Sequence, residues 1–385
     1  MSTHKHIDQI CVAVLLLTIL LTALFMFGDR FGIQPVSDGD QEDESGYFTG
    51  NDLSWDWNRA SATTIDLSAS TVTGGGAYFF NQDLILSGSG YFILSGAMEG
   101  RVLVDAGSGS KVWILLDGAQ ISCPDDACFQ VLQAKKVFLT LEDGSDNHLI
   151  SGPDFSPEAL EAGRDGAVFS SDNLTINGTG SLTVQAGYRH GIEANDDLRI
   201  TGGDIRITAA GDGINANDSF RLCGANLNID AADDGLVVKE PSGFFYQESG
   251  SLSISCLDDG IRSSGDVTVA GGSCSIDAPS KGIRAGGIVT ASGGSVQIDN
   301  CATGMAASDF KIDADVTIHA RSEDYKTLEP DQNVEDLLSV ITEQSETLKS
   351  AKPPVVYTAG TWMWTAGTFL VILLGIGAAL IFKRH

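Results

Sequence analysis

Apolar and polar residues follow a short repeat through the middle of the chain. A glycine followed by an apolar residue recurs at spacings of 22, 22, 25, 22 and 22 residues, at Gly191-Ile192, Gly213-Ile214, Gly235-Leu236, Gly260-Ile261, Gly282-Ile283 and Gly304-Met305. Gly166-Ala167 lies 25 residues before the first of these. An alternating apolar pair such as Ile205/Ile207 begins eight residues before five of the glycines, whereas Leu182/Val184 is one residue out of this register. Alternation with period two predicts short strands, and the glycine clusters between them predict turns.

Strands this short cannot bury an apolar face unless neighbouring coils stack on them. A strict period without an intervening amphipathic helix favours a solenoid over a sandwich or a βαβ fold. The same alternation, with looser spacing, continues upstream through residues 62–161. We therefore predict an all-β fold in which residues 62–320 form a parallel β-helix of about ten or eleven coils, on the order of 50 Å long.

Two apolar runs flank this region. Residues 10–28 contain no charge, and residues 360–382 carry Trp362 and Trp364 at one end and a basic tail at the other. Each is close to the roughly 20 residues that cross a bilayer. The first run could be a signal peptide or an uncleaved signal anchor, and the absence of a small-x-small cleavage pattern before Gly28 favours the anchor. Because basic residues stay on the cytoplasmic side, we predict two transmembrane helices, with residues 1–9 and 383–385 inside and the acidic middle outside.

Two polar segments connect these parts. Residues 29–61 are acidic and predict a linker, although Trp55 and Trp57 suggest that part of it docks on the β-helix. Residues 321–359 contain apolar residues at helical spacing and then Lys352-Pro353-Pro354, which predicts a helical cap or stalk and a stiff proline linker.

The composition narrows the choice of ligands. With a net charge of -28 and only 23 lysines and arginines, the chain is unsuited to nucleic acid. An acidic surface suits cations, neutral sugars or anionic polymers bridged by a cation, although solubility alone also explains it.

Among the cysteines, two observations bear on the fold. Cys256 and Cys274 fall in apolar columns of the repeat, which favours small buried core residues. Cys123 and Cys128 are spaced as a local disulfide would require.

Three stretches carry a family resemblance: residues 137–149 (VFLTLEDGSDNHL), residues 172–184 (DNLTINGTGSLTV) and residues 190–213, with His190-Gly-Ile and Asp212-Gly. They resemble the calcium-containing, carbohydrate-binding β-helix family of bacterial cell-surface proteins. The resemblance implies a right-handed β-helix similar in shape to polysaccharide lyases. It also implies binding of cellulose-like or pectate-like polysaccharides, without established catalysis.

The residues preceding the repeated glycines suggest a metal site. Asp212, Asp233, Asp234, Asp258 and Asp259 would crowd onto three adjacent coils. Like charges at strand spacing repel, and Ca²⁺, which takes six to eight oxygens, would relieve them. The alternative is Asp-Gly turn chemistry, with the glycine at positive φ.

A second, weaker candidate is Asp196 with Asp218, which follow Asn195 and Asn217 on consecutive coils. Asparagine ladders stabilise such turns without a metal.

Several residues are candidates for sugar binding. Hydrogen bonds to uronate carboxylates could come from Arg262, Arg284 and Lys239. The alternative is that the arginines form ion pairs with the neighbouring aspartates. In the longer coil, Phe245 is predicted to point inward and Phe244 and Tyr246 outward, where aromatic rings suit sugar faces. The alternative for these two is packing against the loop around Tyr188.

We therefore expect a bacterial, membrane-tethered, monomeric and non-catalytic polysaccharide-binding protein that carries Ca²⁺. One rival is a calcium-dependent polysaccharide lyase, in which Arg262 or Arg284 removes a proton. The other is a structural spacer or adhesin.

Overall fold

The computed structural model describes residues 43, 45–57, 59–314 and 316–322. The predicted membrane spans 10–28 and 360–382, and nearly all of the predicted stalk 321–359, lie outside these residues. Within the described ranges, no helix is long and apolar enough to cross a membrane. The chain divides between Leu53 and Ser54 into two compact units.

The first unit contributes one described helix, α1 (Gly50–Leu53). Thr49 precedes it, and both its backbone N–H and its hydroxyl donate to Asp52 Oδ2, at 2.9 and 2.7 Å. These bonds satisfy the start of a helix too short to be stable by propensity alone.

The second unit is a parallel β-solenoid whose strands lie on three faces. Face 1 contains β1 (Thr63–Asp66), β2 (Thr71–Thr73), β9 (Lys136–Leu141), β12 (Asn173–Gly178), β15 (Asp197–Ile200), β18 (Ser219–Leu222), β21 (Phe244–Gln247), β24 (Asp266–Val269), β27 (Ile288–Ala291) and β30 (Asp309–Ile312). Face 2 contains β10 (Asp146–Ser151), β13 (Ser181–Ala186), β16 (Asp204–Ala209), β19 (Asn226–Ala231), β22 (Ser251–Cys256), β25 (Ser273–Asp277), β28 (Ser295–Cys301) and β31 (Thr317–Ser322). Face 3 contains β3 (Ala77–Phe80), β4 (Asp83–Leu86), β6 (Val102–Asp105), β8 (Phe129–Gln133), β11 (Gly166–Ser170), β14 (His190–Ala194), β17 (Ile214–Ala216), β20 (Leu236–Val238), β23 (Ile261–Ser263), β26 (Lys281–Ala285) and β29 (Thr303–Ala306).

The remaining elements complete this unit. The long strands β5 (Gly90–Glu99) and β7 (Lys111–Cys123) run from face 1 onto face 2. A 3-10 turn (Arg59–Ser61) precedes β1, and the short helix α2 (Pro157–Glu161) interrupts one turn. Two antiparallel hairpins, β1–β2 and β3–β4, begin the solenoid, and the other strand pairs are parallel.

The predicted columns are confirmed by the strand register. On face 3, Ile192 pairs with Ile214 and the column continues through Leu236, Ile261, Ile283 and Met305. On face 2, the members of the column from Leu182 through Ile205 and Cys274 to Val296 are at most 1 % exposed. Each such side chain stabilises the fold by about 1.5–3 kcal/mol through burial. The parallel β-helix of about ten coils is thus confirmed, and its right-handedness stays a prediction.

The repeated glycines have a different role from the one expected. Their φ angles are not positive, so the Asp-Gly turn with a left-handed glycine is wrong. A Cβ on Gly235 would lie 2.3 Å from Ile254 Cγ2 and 2.5 Å from the carbonyl oxygen of Gly260, and equivalent clashes recur at the neighbouring coils. The glycine is therefore required because face 2 packs directly behind it.

Two register expectations need correction. His190 pairs with Gly166, so Ala167 rather than Gly166 occupies the place of the repeated glycine. Leu182 pairs in register with Ile205, and the extra residue falls in the following turn, where Arg189 adopts a φ of 45°. An insertion is absorbed more easily in a turn than in a paired strand.

One of the two cysteine predictions is confirmed and the other is wrong. Cys256 and Cys274 are 5 % and 1 % exposed and belong to the core, as predicted. The predicted disulfide is wrong, because Cys123 and Cys128 are separate buried thiols. The Cys128 thiol instead donates to the carbonyl oxygen of Ala167 at 3.4 Å.

Trp57 docks on the solenoid, as its aromatic character suggested. Its ring lies 4.9 Å from that of Tyr91, and the stack continues through Trp113 to Phe138 at 4.9 and 5.2 Å between ring centroids. Offset aromatic stacking adds to the stabilisation from burial.

Candidate functional site

Five aspartates line one edge of the solenoid, at the turns where face 2 passes into face 3. We call this set, Asp212, Asp233, Asp234, Asp258 and Asp259, the acidic edge. One carboxylate oxygen each from Asp233, Asp234 and Asp258 lie within 4.8 Å of one another. Since Ca–O distances are about 2.4 Å, one Ca²⁺ could contact all three. Among the described residues, this is the one group of three acidic, histidine or cysteine side chains so arranged.

Three of these aspartates, Asp212, Asp234 and Asp259, form an inner row in which hydrogen bonds connect successive coils. The backbone N–H of each rung donates to the carboxylate of the preceding coil: Asp234 to Asp212 at 3.2 Å, Asp259 to Asp234 at 2.9 Å and Lys281 to Asp259 at 3.0 Å. These three carboxylates are at most 5 % exposed. The side chains thus satisfy buried N–H groups at the turn, and part of the aspartate pattern is structural.

Basic residues contact the same row from the outside. Arg262 Nη1 lies 2.9 Å from Asp234 Oδ2, and Arg284 Nη1 lies 3.5 Å from Asp259 Oδ2. The ion pairing considered for these arginines is therefore observed. Asp212 instead accepts from Asn215 Nδ2 at 2.6 Å, beside His190 Nδ1 at 3.3 Å.

Burial and neighbouring carboxylates disfavour ionisation of the edge. Burial raises the pKa of Asp234 to about 6; the Asp259 N–H and Arg262 oppose the rise, and Asp212 and Asp258 add to it. Burial, Asp212 and Asp258 also raise the pKa of Asp233, which is exposed. The edge carboxylates are thus partly desolvated and close to one another, conditions under which a bound divalent cation would favour their ionised form.

Nearer the N-terminus, arginines balance the charge of the buried aspartate on the same edge. Arg164 contacts both oxygens of the buried Asp126 at 2.8 Å, and Arg101 contacts it at 3.0 Å. Although burial opposes it, these hydrogen bonds and the Ala127 N–H hold the pKa of Asp126 below its ordinary value. There the arrangement needs no added cation.

Among the described residues, the carboxylates around the second metal candidate do not bring three oxygens within 4.8 Å of one another. Burial raises the pKa of Asp196, followed by the effect of Asp218 and other nearby carboxylates. Asn173 Nδ2 donates to Asp196 at 3.1 Å, and Asn217 Nδ2 lies 3.5 Å from Asn195 Oδ1. These contacts correspond to the predicted asparagine ladder.

The predicted aromatic surface is mostly engaged within the protein. Phe245 points inward as predicted, fully buried 5.7 Å from Phe220. Phe244 lies beneath the Arg221 guanidinium at 4.9 Å. Tyr246 faces outward but is only 6 % exposed, so its role as an open sugar platform is a wrong expectation.

The aromatic strand also lies away from the acidic edge. The strand β20 and the turn that contains the exposed Lys239 separate Phe244 from Asp234. Tyr188 occupies a turn on the side of the acidic edge, and its ring lies 4.8 Å from that of Phe155 at a tilt of 32°. The expected contact of the longer coil with Tyr188 is thus replaced by this pair.

Sequence reasoning missed Asn215 and Glu193, which oppose each other on β17 and β14. Asn215 contacts Asp212, and Glu193 accepts from the Asp165 N–H at 2.8 Å. Burial raises the pKa of Glu193. Their shared column, one residue after each repeated Gly-Ile pair, is the signal that could have found them.

The chain is a parallel β-solenoid with a row of aspartates along one edge. The family model of the carbohydrate-binding domain-containing protein matches residues 80–324, and the chain belongs to this family. A carbohydrate-binding domain-containing protein from Acetivibrio thermocellus is 30% identical over 207 residues, which are 53% of this chain and 66% of that protein. The chain thus spans about two thirds of that relative's length.

A solved structure shows the same fold. The gadolinium derivative of the polysaccharide lyase-like protein from C. thermocellum matches with a TM-score of 0.52 and 23% identity, over 65% of this chain and 96% of that chain. This likeness concerns the fold alone.

Proposed function

We propose that this chain is a non-catalytic polysaccharide-binding protein in which the acidic edge holds Ca²⁺. The observation that carries the proposal is the approach of Asp233, Asp234 and Asp258 oxygens within 4.8 Å. Family membership supplies the class of ligand, a carbohydrate. Because Ca²⁺ takes six to eight oxygens, three aspartates leave positions for water and for ligand oxygens.

The ligand that suits these positions is an acidic, pectate-like polysaccharide. A uronate carboxylate would complete the coordination of the ion, and the ion would offset the repulsion between an acidic protein and an acidic polymer. Arg262 and Arg284 contact the edge and, with Lys239 beyond the far end of β20, would supply hydrogen bonds to further carboxylates.

Binding is favoured over cleavage by the state of the arginines. Arg262 lies 2.9 Å from Asp234, and Arg284 lies 3.5 Å from Asp259. Both guanidiniums therefore contact carboxylates of the protein, and a guanidinium is a poor general base. The homologous protein is also named for carbohydrate binding.

Display of the domain at a bacterial membrane is the remaining part of the proposal. It is supported by the apolar runs 10–28 and 360–382 and by the basic residues that flank them. The acidic solenoid would then lie outside the cell.

Sedimentation of the full-length chain with calcium pectate gel, and calorimetry with Ca²⁺, test the function. We expect wild type to bind polygalacturonate with calcium and to release it in chelator. Asp233→Asn with Asp258→Asn should weaken calcium binding at least about tenfold, since two charged ligands are lost. Asp230→Asn, an exposed aspartate on face 2, is the matched control and should behave as wild type. Calcium-independent binding by the double variant would refute the role of the edge, and formation of unsaturated product would favour the lyase.

A further inference from the structure

Two exposed aromatic side chains lie together at the N-terminal end of face 3. Tyr78 and Phe80 are 49% and 61% exposed, whereas Phe79 between them packs against the core. Residues two apart on a strand face the same side, about 6.6 Å apart. Among the described residues they are the two aromatic side chains in the group of exposed large hydrophobics.

The strand that carries them is held rigidly. β3 pairs with β4 across the two-residue turn Asn81-Gln82, in which Asn81 has a φ of 55°. Arg101 fastens the start of β4, because its Nε and Nη2 donate to the two oxygens of Asp83 at 3.0 and 2.6 Å. A rigid support lowers the entropy lost when a ligand binds.

The turn of the β3–β4 hairpin also packs against the next coil. A Cβ on Gly100 would lie 2.0 Å from the carbonyl oxygen of Gln82, so the two backbones meet without space for a side chain. On its inner side, β4 buries Leu84 and Leu86 completely. The two aromatic rings are therefore presented by a part of the fold that has little freedom to move.

The chemistry of this surface suits a neutral sugar. The strand Ala77–Phe80 carries no charge, and Arg101 and Asp83 beside it neutralise each other. Ile85, opposite Tyr78, and Leu103 continue the apolar strip along the face. Pyranose rings present apolar C–H faces to aromatic rings, and the tyrosine hydroxyl adds a polar contact. A polyanion would be repelled by the net charge of -28, and the nearby Arg101 is already paired with Asp83.

We propose that Tyr78 and Phe80 form a second, calcium-independent subsite that stacks against an extended neutral polysaccharide. This inference rests on the proposed polysaccharide-binding function but concerns a different part of the molecule. The strands β3 and β20 are seven strand steps apart on face 3, or about 34 Å. Tyr78 precedes residue 80, the first residue matched by the family model, so the pair lies at the margin of the shared domain.

The test is sedimentation of the full-length chain with insoluble cellulose, a neutral glucan, in chelator. Tyr78→Ala with Phe80→Ala should weaken this binding about tenfold or more and leave calcium-dependent binding to polygalacturonate within about twofold. Tyr78→Trp with Phe80→Trp, which keeps the rings, should retain binding. Leu257→Ala removes a 70% exposed apolar side chain elsewhere and serves as the control.

The outcomes separate this inference from the function on which it rests. Wild type that binds polygalacturonate but ignores cellulose, or an alanine variant that binds cellulose as wild type does, overturns the second subsite alone. Wild type that binds neither polymer overturns the proposed function itself. If the alanine pair converts a dimer into a monomer in sedimentation velocity, the strip is a contact between copies of the chain and the sugar subsite is wrong.

Discussion

Asp234 Oδ1 accepts a hydrogen bond from the backbone N–H of Asp259, one coil further along, at 2.9 Å. The same carboxylate contributes an oxygen to the group that it forms with Asp233 and Asp258. The Asp234 side chain thus satisfies a backbone N–H of the fold and also belongs to the group that could hold a cation, while its second oxygen lies 2.9 Å from Arg262 Nη1. Substitutions of Asp234 should therefore affect both the stability of the fold and its dependence on pH.

Removing the Asp234 side chain should cost more than removing its charge. Asp234→Ala leaves the buried Asp259 N–H without its acceptor, a loss of about 1–3 kcal/mol in unfolding free energy. Asp234→Asn keeps an oxygen at that position, so its cost should be smaller. Urea denaturation of both variants in chelator compares them, and equal costs would show that the ladder bond does not stabilise the fold.

The contribution of Asp234 to the stability of the calcium-free protein should fall as the pH rises from about 4 to about 6. Burial raises the pKa of Asp234 from 3.8 to about 6, so the folded state binds a proton that the unfolded state has already released. The shift corresponds to on the order of 3 kcal/mol. Because other carboxylates titrate too, the quantity to measure is the difference in unfolding free energy between wild type and Asp234→Asn. A difference that does not change over this range contradicts the assignment.

Calcium should restore the stability that is lost when Asp234 ionises, since the cation binds the ionised carboxylate. At a hundredfold excess over its Kd, a ligand of the folded state adds about 2.7 kcal/mol to the unfolding free energy. Thermal denaturation at pH 7 with calcium and with chelator measures the effect. An unchanged melting temperature in both would exclude an ion coupled to folding.

Gly235→Ala should destabilise the solenoid by about 1–3 kcal/mol or more, as overpacking does. The new Cβ would lie 2.3 Å from Ile254 Cγ2. Gly109→Ala is the matched control, because a Cβ there meets no atom within 4 Å. Similar melting temperatures for the two variants would be incompatible with the packing described here.

Phe245→Ala should cost about 3–5 kcal/mol, the usual range for a buried phenylalanine. The ring is fully buried against Phe220, whereas the adjacent Phe244 is only half-buried. Phe244→Ala should therefore cost clearly less. Equilibrium unfolding of both variants tests the inward and outward alternation of β21.

Most of the fold could be predicted from the repeat because each coil has the same pattern of apolar and polar residues. Gly213 and Asp234 could be placed on neighbouring coils from spacing alone, and the register agrees. The position of Gly166 could not, because its coil has two extra residues in turns, one between Ile176 and Ser181 and one between Ala186 and Ile192. Insertions in turns change spacing without changing strand pairing, so periodicity alone cannot place them.

The candidate site was predictable only in part. Strand alternation gives the side of a sheet on which a residue lies, and it assigned Phe245 correctly. It does not describe packing on the outer side, so the burial of Tyr246 at 6 % was missed. Tyr78 and Phe80 lie in a hairpin that belongs to no repeat, and a search for periodic columns passes over them.

The spacing of the coils also has a consequence for how the chain folds. Every parallel strand finds its partner in the neighbouring coil, so each new pairing closes a loop of similar and modest length. The two antiparallel hairpins close still shorter loops and lie where the solenoid begins. As synthesis proceeds, the protein can therefore extend its structure one turn at a time from a preformed start, without waiting for its distant end.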